Sequence, residues 1–265
     1  PFGADDKKLL EAAHMLKGLG VDVLTFPDSP SGRTRIDSVL MAQKVKNETG
    51  FDVMPHICCR DKNAIAMRST FLGASINGIN NFLIITGDPI PVMARQVVKS
   101  VFNFDSVGLM RIADEMNSEA LKDSPLTYGG AINQSRRRIE SEIKRVQKKM
   151  EAGAEFFLTQ PVFTAEDAER LRRVKKETGA RILCGIMPLV SRKNALFMKN
   201  EISGVNVTDE VIERYPENAD REDGENVGVE LAKEMIEATR DFADGYYFSF
   251  PFNRTYLLKR IIQEV

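Results

Sequence analysis

The stretch Phe82-Leu83-Ile84-Ile85-Thr86-Gly87-Asp88-Pro89 decides the fold class. Its first half is apolar at every position and too short for a typical helix, the pattern of a strand buried on both faces. Gly87 permits a close backbone approach, and Pro89 cannot donate to a ladder, so the strand ends there. A carboxylate, Asp88, is thereby delivered at a strand's C-terminal end, where parallel α/β proteins collect ligands and catalytic groups. Phe156-Phe157-Leu158-Thr159-Gln160-Pro161 has the same form, with an amide in place of the carboxylate. Two strand ends of this kind predict one shared site.

On either side, helical and extended patterns alternate. Strands are predicted over residues 21–26, 52–58, 81–86, 126–132, 155–160, 181–187 and 246–250. Helices are predicted over 5–19, 35–49, 62–78, 93–103, 107–122, 135–152 and 165–178. A longer helical region over 193–243 has breaks near Gly204, Pro216 and Gly224, and a last helix begins at Asn253. Regular βα alternation predicts a parallel sheet. An open doubly wound sheet would concentrate its polar strand ends at one switch point. Here Thr25, His56, Asp88, Asn133, Gln160, Pro188 and Asn253 mark nearly every strand end, which favours a (β/α)8 TIM barrel. Seven predicted strands in a chain that opens with a helix place the first barrel strand upstream of Pro1. No linker rich in Pro, Gly or Ser divides residues 1–265, so a single barrel domain is expected. Pro1 is not an initiating methionine, and the domain is expected to be part of a longer chain.

The chain has 265 residues, and an eight-fold barrel typically takes about 250. A net charge of −1 argues against nucleic acid or an anionic membrane as the main partner. No apolar run reaches the roughly 18 residues of a spanning helix, and no signal peptide is recognisable. Cys58, Cys59 and Cys184 form no disulfide framework: two are neighbours and no CxxC spacing exists. With His14 and His56 the only histidines, conventional zinc ligands are scarce, and no metal is expected. The thiols read as reduced core residues of a cytoplasmic protein.

Gly18-Leu19-Gly20 is no dinucleotide loop, because it follows a helix and precedes a strand. Gly129-Gly130-Ala131 ends a strand and suits either close core packing or a flat ligand. A lone histidine such as His56 is more often structural; beside Asp88 and Gln160 it becomes a site candidate. Glu142, Arg145 and Lys149 recur on one helical face with Lys148 adjacent. That face suits surface ion pairs, or a grip on ribose and phosphate. Asp28, Ser29, Arg33 and Arg35 form a polar loop after a strand, and Arg254 follows the last strand, where it would meet an anion.

With these residues placed, the chain resembles the methylenetetrahydrofolate reductase family, whose members are flavin-containing (β/α)8 barrels. The likeness rests on Thr25-Phe26, Pro55-His56-Ile57-Cys58, Thr86-Gly87-Asp88, Ala152-Gly153-Ala154 leading to Leu158-Thr159-Gln160, Gly185-Ile186-Met187-Pro188 and Asn253-Arg254, in order along nearly the whole chain. Asp28-Ser29-Pro30 and Pro251-Phe252-Asn253-Arg254 look most like the reductase half of bifunctional homocysteine methyltransferase/reductase proteins.

The resemblance implies FAD in the barrel mouth, reduced by NADH or NADPH. It implies reduction of methylenetetrahydrofolate to methyltetrahydrofolate in ping-pong fashion, within one-carbon metabolism and methionine biosynthesis. Asp88 and Gln160 would be the catalytic pair, Asp88 near the flavin N1–C2 edge and Gln160 bonded to the pterin. Thr25, His56, Thr86, Gly87, Ala131 and Leu158 would line the flavin. Glu142, Arg145, Lys148 and Lys149 would contact its ribose and diphosphate, and Arg254 the nicotinamide cofactor. The family's catalytic acid is a glutamate just before the segment that Pro1-Phe2-Gly3 resembles, and it would lie upstream of Pro1. The chain departs from better-known members at Thr86 (arginine), Ala131 (tyrosine) and Arg192 or Lys193 (a folate-stacking aromatic). A homo-oligomer is expected, with a fused or associated homocysteine methyltransferase domain as possible partner. Two other readings compete. One is a non-catalytic barrel that binds a methyltransferase or redox partner. The other is a different flavin barrel, such as a proline-dehydrogenase-like oxidase, which would not need Asp88 and Gln160 together.

Overall fold

A short polar residue stands before most helices and stops the preceding loop. Asp37 Oδ1 accepts from the amides of Val39 and Leu40 at 2.9 and 3.0 Å. Asn63, Asp105, Thr164, Ser191 and Asp220 cap in the same way. Each satisfies an amide that the first helical turn leaves without a partner. Such caps set where each βα loop ends, and therefore how much chain is left to form a site.

The computed structural model describes residue 3, residues 5–202 and residues 204–263. Pro1 and Phe2, two of the three residues likened above to a family motif, lie outside the described residues. The chain falls into two compact units, one of residues 1–130 with 148–155, the other of residues 131–147 with 156–265.

The first unit holds α1 (Lys7–Lys17), β1 (Val23–Phe26), α2 (Ser38–Thr49), β2 (Asp52–Cys58), α3 (Ala64–Ile76), β3 (Asn81–Ile85), α4 (Ser106–Ser118) and most of β4 (Thr127–Ile132). Its strands pair in chain order and in parallel: β1 with β2, β2 with β3, β3 with β4. Ile57, Phe82 and Ile84 are fully buried, and the Phe71 ring of α3 meets Phe82 edge-on, centroids 5.2 Å apart. That contact seats the helix on the strand that leads to Asp88.

Helix α5 (Ile139–Glu151) begins in the second unit and ends in the first. The second unit continues with β5 (Phe156–Pro161), α6 (Ala165–Thr178), β6 (Ile182–Ile186), α7 (Arg192–Glu201), α8 (Asp209–Glu213), α9 (Arg221–Thr239), β7 (Gly245–Phe248) and α10 (Leu257–Ile262). β5 pairs with β6 and β6 with β7, again in parallel. Phe163, Leu189, Val211, Ile212, Tyr215 and Leu231 form a core there, and the Tyr215 hydroxyl donates to the Leu189 carbonyl at 3.0 Å.

The α/β class and the parallel alternation stand as expected. Among the described residues there are seven strands, so the closed eight-stranded barrel is not what they make. Two expectations are overturned. Residues 93–103 form no α-helix; a single 3-10 turn, Val92–Ala94, stands there. Pro91 precedes it, and Val92, Met93 and Val97 are 71%, 92% and 88% exposed, so no apolar surface pays the ordering entropy of a helix. Gly224 does not break the long helix either, since α9 runs through it. A Cβ on Gly224 would sit 2.5 Å from the Val190 carbonyl oxygen, and one on Gly228 would sit 1.9 Å from that of Leu189. These glycines let α9 press against the chain after β6. No described helix is long and apolar enough to cross a membrane.

Candidate functional site

In the first unit the ends of β1, β2 and β3 are tied by one arginine. Arg60 follows β2, and its side chain is 2% exposed. Its Nε donates to Asp61 Oδ1 at 2.8 Å and one terminal nitrogen to Asp61 Oδ2 at 2.6 Å. The two terminal nitrogens also donate to the carbonyls of Asp88 and Ser29, each at 3.0 Å. A buried guanidinium is costly unless its fork is filled, and here it is. The Asp61 hydrogen bond raises the Arg60 pKa further, and the Arg60 hydrogen bond lowers that of Asp61.

This clamp grips the backbone of Asp88 and leaves its carboxylate to other partners. Asp88 is exposed, and its Oδ2 accepts from the Ser31 amide at 2.7 Å. Ser31 and Ser29 both lie in the left-handed region, φ 57° and 43°, so the loop after β1 winds back over the end of β3. Gly87 has φ 93°, and a Cβ there would come within 3.0 Å of Cys58 Cβ. Only glycine lets the chain turn into Asp88 so close to β2. Thr86 Oγ1 accepts from the Ser106 amide at 3.2 Å, tying the same strand end to α4.

Register places Thr25 opposite Met54 and His56 opposite Leu83. Thr25, His56, Cys58 and Leu83 therefore share one face of this sheet. His56 is 7% exposed, and among the described residues its Nε2 has no hydrogen-bond partner. Burial lowers its pKa to about 4, so the ring is neutral at physiological pH. An orphaned ring nitrogen on that face is an open position for a polar ligand atom. Asp28 Oδ2 accepts from the Cys58 amide at 3.1 Å. Asp28, Cys58 and Asp61 offer side-chain donor atoms within 4.8 Å of one another. Arg60 already supplies a positive charge there. Burial first, then the Asp28 charge, pushes the Cys58 thiol up to about 12. All three cysteines are free and buried, as the sequence suggests.

In the second unit, the Gln160 carbonyl accepts from Gln134 Nε2 at 3.0 Å. The Gln134 side chain is buried, and among the described residues its Oε1 is without a partner. Leu158 is buried in β5, and Ala131 is half-buried. The charged face of α5 is uneven: Glu142 and Lys149 are buried, Arg145 and Lys148 exposed. Glu142 is engaged locally, with Oε1 accepting from the Asn133 amide at 2.9 Å and Oε2 facing Arg136 Nε at 2.9 Å. Arg254 Nη1 meets Glu225 Oε1 at 3.0 Å. Arg192, near the missing aromatic, donates to the carbonyls of Ile212 and Tyr215, each at 3.2 Å, and so is a structural tie.

The structure thus brings Thr25, His56, Thr86, Gly87 and Asp88 together in the first unit. The sequence gives no warning of Arg60 or Glu225, although the Arg60-Asp61 pair directly after a strand is the signal that could have found the first.

A family model described as methylenetetrahydrofolate reductase matches residues 3–263. The 5,10-methylenetetrahydrofolate reductase of Buchnera aphidicola subsp. Schizaphis graminum is 24% identical over 187 residues, covering 69% of this chain and 61% of that protein. Its namesake in Salmonella typhimurium is 24% identical over 174 residues, covering 65% of this chain and 55% of that protein. The chain therefore spans 61% and 55% of the length of these two curated relatives. Among solved structures, 2,3-dimethylmalate lyase, a member of the PEP mutase/isocitrate lyase superfamily, aligns with a TM-score of 0.50 at 16% identity. That alignment covers 67% of this chain and 62% of the other, and is a likeness of fold alone. A match that takes in the Asp88 strand end, the Gln160 strand end and Arg254 together carries the assignment: this chain belongs to the methylenetetrahydrofolate reductase family.

Proposed function

We propose that this chain reduces 5,10-methylenetetrahydrofolate to 5-methyltetrahydrofolate with FAD and a reduced nicotinamide cofactor. Methylenetetrahydrofolate, NADH or NADPH, and a proton give methyltetrahydrofolate and the oxidised nicotinamide. The observation that carries the proposal is the Asp88 corner: a carboxylate just past a parallel strand's end, fixed through its backbone by Arg60 and bonded at its side chain by the neutral Ser31 amide.

The residues present fit a flavin. His56 Nε2 is a buried nitrogen without a partner, on the strand face that also carries Thr25. FAD, when bound, supplies the two-electron transfer between the nicotinamide and the folate. Thr25, His56, Thr86 and Gly87 would hold its ring, and Arg145, 3.7 Å from the buried Glu142 carboxylate, and the exposed Lys148 would meet its diphosphate. The Arg60 guanidinium is matched by the Asp61 carboxylate and not by that of Asp88. A negative charge at Asp88 favours a cationic form of the folate over a neutral one and disfavours added negative charge beside it. The side chain of Gln160 would orient the pterin. The likeness of the loop after β1 and of the Arg254 segment to bifunctional proteins extends the proposal to a homocysteine methyltransferase partner, tested by assaying the native protein for both activities.

An anaerobic half-reaction tests the reductase. The full-length protein is mixed with NADH or NADPH and then with methylenetetrahydrofolate while the flavin absorbance is followed. Bleaching and then recovery is expected. Bleaching without recovery would point to another acceptor, and absence of a flavin band to the non-catalytic domain.

A further inference from the structure

Strand β5 is irregular at the residue with which its polar end begins. Leu158 stands opposite Leu183 and Pro161 opposite Gly185, so Thr159 and Gln160 together face Cys184 alone. A bulge of this kind is rare in a parallel sheet, and beside a site it re-aims a side chain. The ladder is altered to fit it: the Gly185 amide donates to the Thr159 hydroxyl oxygen at 2.8 Å, where a regular strand offers a backbone carbonyl. Two side chains hold the Gln160 carbonyl. The Thr159 hydroxyl donates to it at 2.7 Å and Gln134 Nε2 at 3.0 Å, and Gln134 Nε2 also reaches the Pro161 carbonyl at 3.2 Å. A Cβ on Gly185 would sit 2.9 Å from the Thr159 carbonyl oxygen and 3.0 Å from that of Gln160, so glycine lets β6 lie against the bulge.

Gln134 lies just past β4 and is fully buried. Two carbonyls at one end of its amide identify that end as the nitrogen, which turns Oε1 away from them. Among the described residues Oε1 has no partner. A buried acceptor left unsatisfied costs stability, and an apolar side chain of similar volume would avoid that cost. Gln134 is therefore a poor choice for stability alone, and breaches of this kind concentrate where a site needs them. What the side chain does is pin the main chain at Gln160. The Gln160 side chain is half-buried and makes no hydrogen bond among the described residues. Its amide is thus held from behind, through the backbone, and left open in front.

We propose that this bulge is an aiming device: Gln134 and Thr159 are positioning residues that fix the Gln160 backbone so that its side-chain amide meets the pterin. The inference rests on the folate reduction proposed above, in which Gln160 orients the pterin. Both residues act through Gln160, so their loss reaches the chemistry by misplacing it.

The test uses the flavin-loaded full-length protein and follows two half-reactions separately: flavin reduction by NADH or NADPH, and reoxidation by methylenetetrahydrofolate. Gln134→Met removes the donor and the orphaned acceptor together at similar volume. It should change the melting temperature little, because the two losses offset each other. Reoxidation by the folate is expected to slow about tenfold and flavin reduction to stay within about twofold, since a small misplacement is felt in the step that uses the group. Thr159→Val should act in the same direction, and Thr159→Ser, which keeps the hydroxyl, should restore the wild-type rate. In a Gln160→Ala background, Gln134→Met should have no further effect, because the residues act as a unit. Unchanged reoxidation in Gln134→Met, or an equal loss in both half-reactions, would overturn the inference. Additive losses in the double variant would overturn it too. If Gln134→Met fails to fold, the two Thr159 variants carry the same comparison. A wild-type protein that shows neither half-reaction would instead sink the reductase reading. Wild-type reoxidation in Gln160→Ala would take the pterin role from Gln160, and the inference with it.

Discussion

The Ser31 amide and the Asp88 carboxylate, 57 residues apart in the chain, are joined by a 2.7 Å hydrogen bond. The donor is neutral, so the bond orients the carboxylate without cancelling its charge. The positively charged group nearby, Arg60, bonds Asp88 at its carbonyl and spends its charge on Asp61. The backbone and the side chain of Asp88 are thus held by separate partners.

Asp88→Asn should keep the Ser31 bond and remove the charge. Stability should stay within about 0.5 kcal/mol, as for most exposed substitutions. Folate-dependent reoxidation of the flavin should slow about 100-fold, the usual scale for losing one preorganised electrostatic group. Stopped-flow half-reactions and thermal melts check the two halves separately. A variant that reoxidises at the wild-type rate would remove Asp88 from the chemistry.

Arg60→Met should cost about 1–3 kcal/mol, because it leaves two carbonyls without their donor, while the Asp61 carboxylate, 39% exposed, turns to water. Arg60→Lys should recover only part of that: an ammonium cannot span Asp61, Ser29 and Asp88 in the planar geometry seen here. Chemical denaturation of the three proteins measures the order. Equal stability of Lys and Arg would show that charge alone matters at this corner.

His56 gives a pH signature. Its folded pKa is depressed to about 4 from an ordinary 6.5, so the unfolded chain binds the extra proton first. Nothing is lost above about pH 6.5; as pH falls from there towards 4, folding stability declines by about 3 kcal/mol in all from this ring. Ring NMR shifts of His56 should keep their neutral values down through about pH 5. A midpoint near the ordinary value would mean the ring is wetter than its burial implies.

Two glycine substitutions should move stability in opposite directions. Gly228→Ala drives a Cβ to 1.9 Å from the Leu189 carbonyl oxygen, and should cost about 3 kcal/mol or more by forcing α9 away. Gly73→Ala, exposed in α3 with nothing within 4 Å of the added Cβ, should gain up to about 1 kcal/mol of helix propensity. Thermal melts of both variants decide it.

Much of this was legible in the sequence, and the exceptions are physical. β3 and its carboxylate read correctly because a short apolar run closed by Gly-Asp-Pro admits little else. Gly204 and Pro216 do separate helices, whereas Gly224 is needed for close packing, and a one-dimensional pattern cannot tell a break from a contact. Residues 93–103 mislead because Met93, Val97 and Val101 recur at helical spacing. Spacing reports amphipathicity, not whether a surface exists to receive the apolar side. Only the Asp61 contact of Arg60 is hinted at in sequence, by adjacency; its other acceptors, Ser29 and Asp88, come from separate loops. The departure at Thr86 also becomes intelligible, since its hydroxyl accepts the Ser106 amide at the start of α4.

Burial pushes Cys58, Cys59 and Cys184 each up to about 12. At neutral pH their thiolate fractions are negligible, and thiol reagents act on the thiolate. The native protein is therefore its own unreactive background for labelling. A cysteine introduced at an exposed position such as Val97 or Phe252 would be a single addressable handle. Distances from a fluorophore there to a bound ligand could then be followed without first stripping the natural thiols out of the core.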